Sequence, residues 1–282
     1  MTVAQELQRA AIEMIAAADH GRSVSASFKK HCPHILRQAR RDAAFPKLLA
    51  FWGRCVNFDE HAKQVIVHPA ILEVLGEAVG IPVRGRFVHA GLQHTYGYLF
   101  SVIETPYGSK RDRWVSDDLE KGLGIDRSLL GVRPARGTLL ANVTWVLGQI
   151  ALRGRPAELK RLESQAAAVA PDLVKFDFST LERCRIVERT TLPASRREVS
   201  LVTDLVKLPH APDGDRLLIY STMVATKALR LVTAFPMKPD AADRLVATAA
   251  VGGKVEVELR YNAYVRGLHG RRRRGSISIV QN

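Results

Sequence analysis

The stretch from Phe87 to Trp114, FVHAGLQHTYGYLFSVIETPYGSKRDRW, marks the point where helical patterning gives way to strand patterning. Residues 83 to 104 are rich in β-branched and aromatic types, TPYG interrupts the run, and residues 109 to 116 resume in extended style. The pattern predicts a β-hairpin.

The turn of this hairpin sets which side chains share a face. Proline and glycine between Thr105 and Ser109 favour a three-residue loop with a bulge, which places Thr105 opposite Ser109. A two-residue turn would instead bring Arg111 and Arg113 to the face that carries His94.

The first eighty residues have mainly helical patterns. From Ala4 to Ala18 apolar residues recur every three or four positions, which is one stripe of a helix. A second helical stretch runs from His34 to Val56, where Pro46 is expected to kink or split it. A short helix is predicted from Ile71 to Val79, and Gly80 suits its left-handed end.

Strand patterns dominate after Phe176, with one helix from Arg155 to Ala170 before them and one from Pro239 to Ala250 among them. The stretch from Thr138 to Leu152 fits a strand or a buried helix equally well. The predicted strands are Arg183–Thr190, Glu198–Lys207, Asp215–Met223, Leu229–Phe235 and Lys254–Val265.

Helices followed by strands, without regular βαβ alternation, predict an α+β fold with mainly antiparallel sheet and a strand-rich C-terminal half. We predict four segments: helical residues 1–80 packing on the rest, a hairpin-containing α+β part at 81–175, an antiparallel β-rich part at 176–270, and a basic tail at 271–282.

The charge points to anionic partners. The chain of 282 residues carries 42 Lys and Arg against 28 Asp and Glu, a net charge of +14. Such a field attracts phosphates, carboxylates or nucleic acid. Three scattered cysteines cannot form a closed disulfide framework, and no basic segment followed by an apolar one marks a secretory signal. We therefore expect a folded cytoplasmic protein without a membrane span.

The predicted hairpin gathers the groups that acid–base chemistry needs. His94 can carry a proton near neutral pH, Tyr96 and Tyr98 can donate to an oxyanion, and Lys110 can hold a carboxylate or phosphate. These four residues are the predicted catalytic set. The alternative interpretation is ordinary packing, since aromatic residues at alternate positions are common in strands.

Four neighbours complete the predicted substrate-binding set: His89, Arg111, Arg113 and Trp114. His89 falls on the opposite face of the strand unless Ala90-Gly91 forms a bulge. No metal site is predicted, because His31 and His34 lack a second pair of ligands at zinc-like spacing. No cofactor is predicted, because the glycine pairs lack the spacing of a nucleotide loop.

The sequence thus predicts an enzyme that acts on a small anionic substrate by metal-independent acid–base chemistry, with hydrolysis, elimination and group transfer all open. The alternative is an RNA- or DNA-binding protein or metal-independent ribonuclease. For it the hydroxyls and basic residues of Tyr220 to Pro236, including Lys227 and Arg230, would form a second hairpin, and Arg271 to Arg274 would form a basic tail. A regulatory scaffold that docks an acidic partner is a third option.

Overall fold

The computed structural model of the protein describes residues 1–105, 108–125, 129–171, 175–211, 213–225, 228–251, 255–268 and 272–281. The α-helices are α1 (Val3–Asp19), α2 (Val24–His31), α3 (Pro33–Ala43), α4 (Pro46–Leu49), α5 (Pro69–Val79), α6 (Ala90–His94), α7 (Asp118–Leu123), α8 (Leu139–Ala151), α9 (Pro156–Val169) and α10 (Pro239–Ala250). The strands are β1 (Arg54–Val56), β2 (Phe87–His89), β3 (Glu104–Thr105), β4 (Gly108–Ser109), β5 (Arg183–Thr191), β6 (Glu198–Lys207), β7 (Arg216–Val224), β8 (Arg230–Met237), β9 (Val255–Val257), β10 (Ala263–Tyr264) and β11 (Arg273–Gln281).

The N-terminal helices follow the apolar stripes and the capping signals of the sequence. α1 begins at a capping box in which Thr2 and Gln5 each satisfy a backbone donor of the other. Its apolar stripe, with Leu7 and Met14, is buried as predicted. α5 ends at Gly80 in the left-handed conformation, also as predicted.

The helical stretch predicted from His34 to Val56 is split at Pro46 as expected, but its helical part ends at Leu49 and does not continue to Val56. Prolines divide this region, because Pro33 and Pro46 each occupy the first turn of a new helix, where the missing N–H leaves no hydrogen bond unmade. The chain after α4 then becomes strand β1.

The C-terminal half forms a six-stranded antiparallel sheet in the order β8-β7-β6-β5-β11-β9. The predicted strands from Arg183 to Phe235 match β5 to β8 within two residues, and α10 has its predicted bounds. The predicted last strand is split into β9 and β10. Residues 273–281, expected in a basic tail, form strand β11 inside the sheet.

The ambiguous stretch after Thr138 is helix α8, with Thr138 as its N-cap. Nearly every residue of α8 is buried, which explains why its sequence shows no polar face. Arg183 and Arg185 of β5 donate to the carbonyls of Ile150 and Ala151 at its end, so α8 packs on one face of the large sheet.

The long hairpin predicted between Phe87 and Trp114 is also wrong. β2 ends at His89, α6 follows, and residues 97–100 and 110–114 form 3-10 helices. The short strands β3 and β4 pair with each other, with Thr105 opposite Gly108, which is the two-residue alternative. Pro106 and Tyr107 lie outside the described residues.

The buried position of this segment explains the error. All five residues of α6 are buried, so the segment has no exposed face to produce a clear periodicity. The N–H of Leu92 donates to Nδ1 of His89, which makes His89 the N-cap of α6. Gly91 lies in α6 and not in a strand bulge, and it lets α6 approach Trp52, since a Cβ there would lie 2.7 Å from the indole ring.

The observed architecture is therefore α+β, with helices concentrated before residue 170 and antiparallel strands after it. A second sheet, β10-β1-β2, pairs two strands of the helical part of the chain with one strand of the strand-rich part. Within the part of the chain that the structure describes, no helix is long and apolar enough to cross a membrane. The four-segment division remains a prediction.

Gly91→Ala tests the close approach of α6 to Trp52. We expect a loss of about 1–3 kcal/mol in the free energy of unfolding, because the added methyl overpacks the contact. Urea denaturation measures it. Gly131→Ala is the matched control, since its Cβ would meet no atom within 4 Å. Equal stability of the two variants would contradict the packing argument.

Candidate functional site

A row of hydroxyl groups crosses one face of the large sheet and leads to His94. Thr203, Tyr220 and Thr233 lie directly opposite one another on β6, β7 and β8, so their side chains share a face. β8 carries one extra residue beside this row, because Tyr220 pairs with Thr233 while Ser221 pairs with Leu231. α6 contacts β8 here and places His94 on Thr233.

His94 is fixed by its backbone and by one ring nitrogen. His94 is 2% exposed. Its backbone carbonyl accepts a hydrogen bond from Nε1 of Trp114 at 2.5 Å, and its Nδ1 lies 3.1 Å from Oγ1 of Thr233. Within the described structure Nε2 of His94 has no hydrogen-bond partner. Burial holds the pKa of His94 well below 6.5, and the charges of Arg113 and Lys110 lower it further.

Arg113 is the second member of this site. Its Nη1 donates to Oγ1 of Thr233 at 3.2 Å, and its Cζ lies 4.9 Å from the Tyr98 ring centroid and 5.6 Å from that of Phe235. Among the described residues, no carboxylate lies within 4.0 Å of its guanidinium. Burial lowers the pKa of Arg113, since desolvation disfavours the charged form.

The Thr233 hydroxyl links the imidazole to the guanidinium. Its oxygen accepts from Arg113 and has one hydrogen of its own, which the hydroxyl can donate to Nδ1 of His94. In that arrangement the neutral ring carries its proton on Nε2, the nitrogen without a described partner.

Tyr98 and Lys110 lie next to this pair, with Lys110 already neutralised. The ring centroids of His94 and Tyr98 are 4.6 Å apart, and burial raises the pKa of Tyr98, so its hydroxyl stays protonated. Lys110 Nζ is 5.7 Å from the Tyr98 centroid and 2.9 Å from a carboxylate oxygen of Asp59. We call His94, Tyr98, Arg113 and Thr233 the anion site.

The structure places the other predicted residues elsewhere. The Tyr96 hydroxyl donates to Asp42 at 2.6 Å, and His89 caps α6 while its Nε2 lies 3.0 Å from the carbonyl of Leu49. Arg111 donates to the carbonyls of Ala4 and Ser101, which ties α1 to the segment after α6. Trp114 supports the backbone of His94. Their functional roles remain predictions.

Sequence reasoning missed the residues that continue the site along the sheet. The Phe235 and Tyr261 ring centroids are 5.4 Å apart, and those of Tyr261 and Tyr220 are 5.1 Å apart. Tyr261 and Asn262 both have left-handed backbones, with φ of 56° and 61°. Consecutive non-glycine residues in this region are strained, and such strain concentrates at functional sites.

A buried ion pair closes this row. Glu188 has no exposed side-chain surface, and its Oε1 lies 3.3 Å from Nη2 of Arg260. Burial raises the pKa of Glu188, while Arg260 opposes the rise. The backbone N–H of Arg260 donates to the Tyr220 hydroxyl at 3.5 Å. The pair holds the strained segment against the sheet.

Comparison with known proteins finds no matching family model, no matching curated protein and no matching solved structure. Within the described ranges, no three His, Cys, Asp or Glu residues are arranged to hold a metal ion.

The pH dependence of stability tests the structural role of His89. Burial lowers the pKa of His89 to about 4 from 6.5, so between these values the unfolded chain binds a proton that the folded protein does not. The free energy of unfolding must then fall as the pH falls, by about 1.4 kcal/mol per pH unit at full slope.

His89→Asn keeps an N-cap acceptor but removes this proton, so the slope of stability against pH should become shallower than in the wild type. Urea denaturation across this pH range gives both slopes. Burial also raises the pKa of Asp42 to about 6, which acts with the opposite sign but equally in both proteins. Identical slopes would show that His89 titrates normally in the folded state.

Proposed function

We propose that the protein is an enzyme that binds a small carboxylate- or phosphate-bearing substrate at Arg113 and donates a proton to it from His94. The observation that carries the proposal is the half-buried Arg113 guanidinium, which lies against the Tyr98 and Phe235 rings and, among the described residues, has no carboxylate within 4.0 Å. A charge that loses part of its hydration to aromatic rings is costly unless an opposite charge compensates it. A bound anion would supply that charge.

The His94 imidazole, which shares the Thr233 hydroxyl with Arg113, would supply a hydrogen-bond donor to the anion. Its Nε2 is buried without a described partner and carries the imidazole proton when the Thr233 hydroxyl donates to Nδ1. A neutral imidazole can donate to a developing oxyanion, and a guanidinium can hold a carboxylate or phosphate at two oxygens. The pair therefore supplies orientation and proton transfer, which hydrolysis, elimination and group transfer all use.

Binding and protonation would be coupled. The positive neighbours of His94 and its burial keep the ring neutral in the free protein. An anion adjacent to the ring favours the imidazolium form, so the pKa of His94 should rise when the substrate binds. The proton would then be available where the negative charge is held.

Arg113, Phe235 and Tyr261 are each partly exposed, so the substrate would approach Arg113 from the side of these two rings. Their rings form an apolar wall along which a small organic substrate can pack, between Arg113 at one end and Arg260 at the other. The three cysteines are free thiols, which supports a cytoplasmic location.

NMR titration of histidine-labelled protein tests the anion site, with the His94 signal identified by its absence in His94→Gln. Sulfate serves as the probe because its charge is constant from about pH 5 to about pH 8. We expect sulfate to raise the pKa of His94 by about 1 unit or more relative to chloride at equal ionic strength. Arg113→Met should abolish this rise.

Arg37→Met is the matched control, because Arg37 is an exposed arginine on α3 and its substitution removes the same charge. It should leave the sulfate effect on His94 unchanged. The proposal would be overturned if sulfate left the pKa of His94 unchanged, or if it raised that pKa equally in Arg113→Met.

A further inference from the structure

A basic groove, separate from the anion site, lies beside the β10-β1-β2 sheet. Its volume is about 710 Å³, and it is bounded by the loop that joins β5 to β6 and by the residues that follow β10. Arg197, Arg266 and Arg273 line it together with the rings of Phe87 and Tyr264. No residue of the anion site lines this groove.

The three arginines of the groove have no acidic partner. Among the described residues, no carboxylate lies within 4.0 Å of Arg197, Arg266 or Arg273, and Nε of Arg273 is buried without a hydrogen bond. The neighbouring Arg272, by contrast, pairs with Glu258 at 2.8 Å. The positive charge of the three groove arginines is therefore uncompensated, whereas the charge of Arg272 is neutralised by Glu258.

Aromatic rings and arginines form a continuous stack at the edge of the groove. The Phe87 and Tyr264 centroids are 4.1 Å apart, with Arg86 5.3 Å from the Phe87 centroid and Arg54 5.4 Å from the Tyr264 centroid. The pairing of Arg54 opposite Tyr264 on β1 and β10 fixes this order. Arg54 and Arg86 are exposed and, within the described structure, have no carboxylate within 4.0 Å.

We propose that this groove binds single-stranded RNA or DNA. Backbone phosphates would contact Arg197, Arg266 and Arg273, and an unpaired base would extend the stack on Arg86, since guanidinium planes stack on bases. Cationic grooves with stacking platforms are the general means of holding single strands without sequence preference. A duplex keeps its bases paired and offers no free base face to the stack.

Charge distinguishes this groove from a second cavity of the described structure. That cavity, of about 510 Å³, is lined by Asp177 and Glu182 as well as by Lys207 and His210. Its mixed charge gives a polyanion no preference for it. The basic groove therefore concentrates the positive charge that the sequence spreads along the chain.

Fluorescence anisotropy with a fluorescein-labelled oligouridylate dodecamer tests the proposal between about 25 mM and about 200 mM NaCl. Arg197→Gln/Arg266→Gln should weaken binding and reduce the log–log salt slope by about 0.7 for each lost phosphate contact. Phe87→Leu should weaken binding roughly tenfold with an unchanged slope, because it removes the ring that holds the stacking guanidinium of Arg86 but removes no charge.

Arg22→Gln/Arg37→Gln is the matched control. Both arginines are exposed and do not line the groove, and their substitution lowers the net charge by the same amount. It should keep the wild-type salt slope. The proposal is overturned if the dodecamer does not bind at low salt, if the two double variants behave alike, or if a duplex of the same length binds as tightly as the single strand. Circular dichroism confirms that each variant is folded.

Discussion

The docking of residues 51–53 and helix α6 on edge strand β8 is the constraint on which the rest of the structure depends. The N–H of Gly53 donates to the carbonyl of Leu231 at 2.7 Å, and the N–H of Leu231 donates to the carbonyl of Phe51 at 2.9 Å. These bonds cover the edge of the large sheet, which would otherwise expose unpaired backbone groups. They also join the helical part of the chain to the strand-rich part.

Function is expected at this junction because the two parts contribute different groups to it. The helical part brings the imidazole of His94 and the guanidinium of Arg113, and the sheet brings Thr233, which contacts both. Neither part alone would desolvate a guanidinium beside a neutral imidazole. The free energy that the buried charge costs is offset by packing of the surrounding core, and an anion would recover part of it.

Much of the fold could be predicted from sequence because its signals are local. Capping residues, prolines at first helical turns and short runs rich in β-branched residues each report on a few neighbouring positions, as in α1, α10 and β6. The segment after β2 could not be predicted in this way. Its helix α6 is buried on all sides, so its conformation depends on Trp52 and β8, which local periodicity does not register.

The site could be predicted only in part for the same reason. His94, Tyr98 and Arg113 are close in sequence, and their unusual density was visible there. Thr233 is 139 residues from His94, so only the fold shows that it links the imidazole to Arg113. Glu188, Arg260 and the left-handed Tyr261 were likewise hidden, since each has an ordinary sequence context.

Anomalous diffraction from crystals grown with selenate would test the central claim most directly, because selenium marks the position of a tetrahedral anion. The account predicts a selenium peak within hydrogen-bond distance of the Arg113 guanidinium and Nε2 of His94. An Arg113 guanidinium paired with a carboxylate of the protein, with selenate bound only elsewhere, would contradict it.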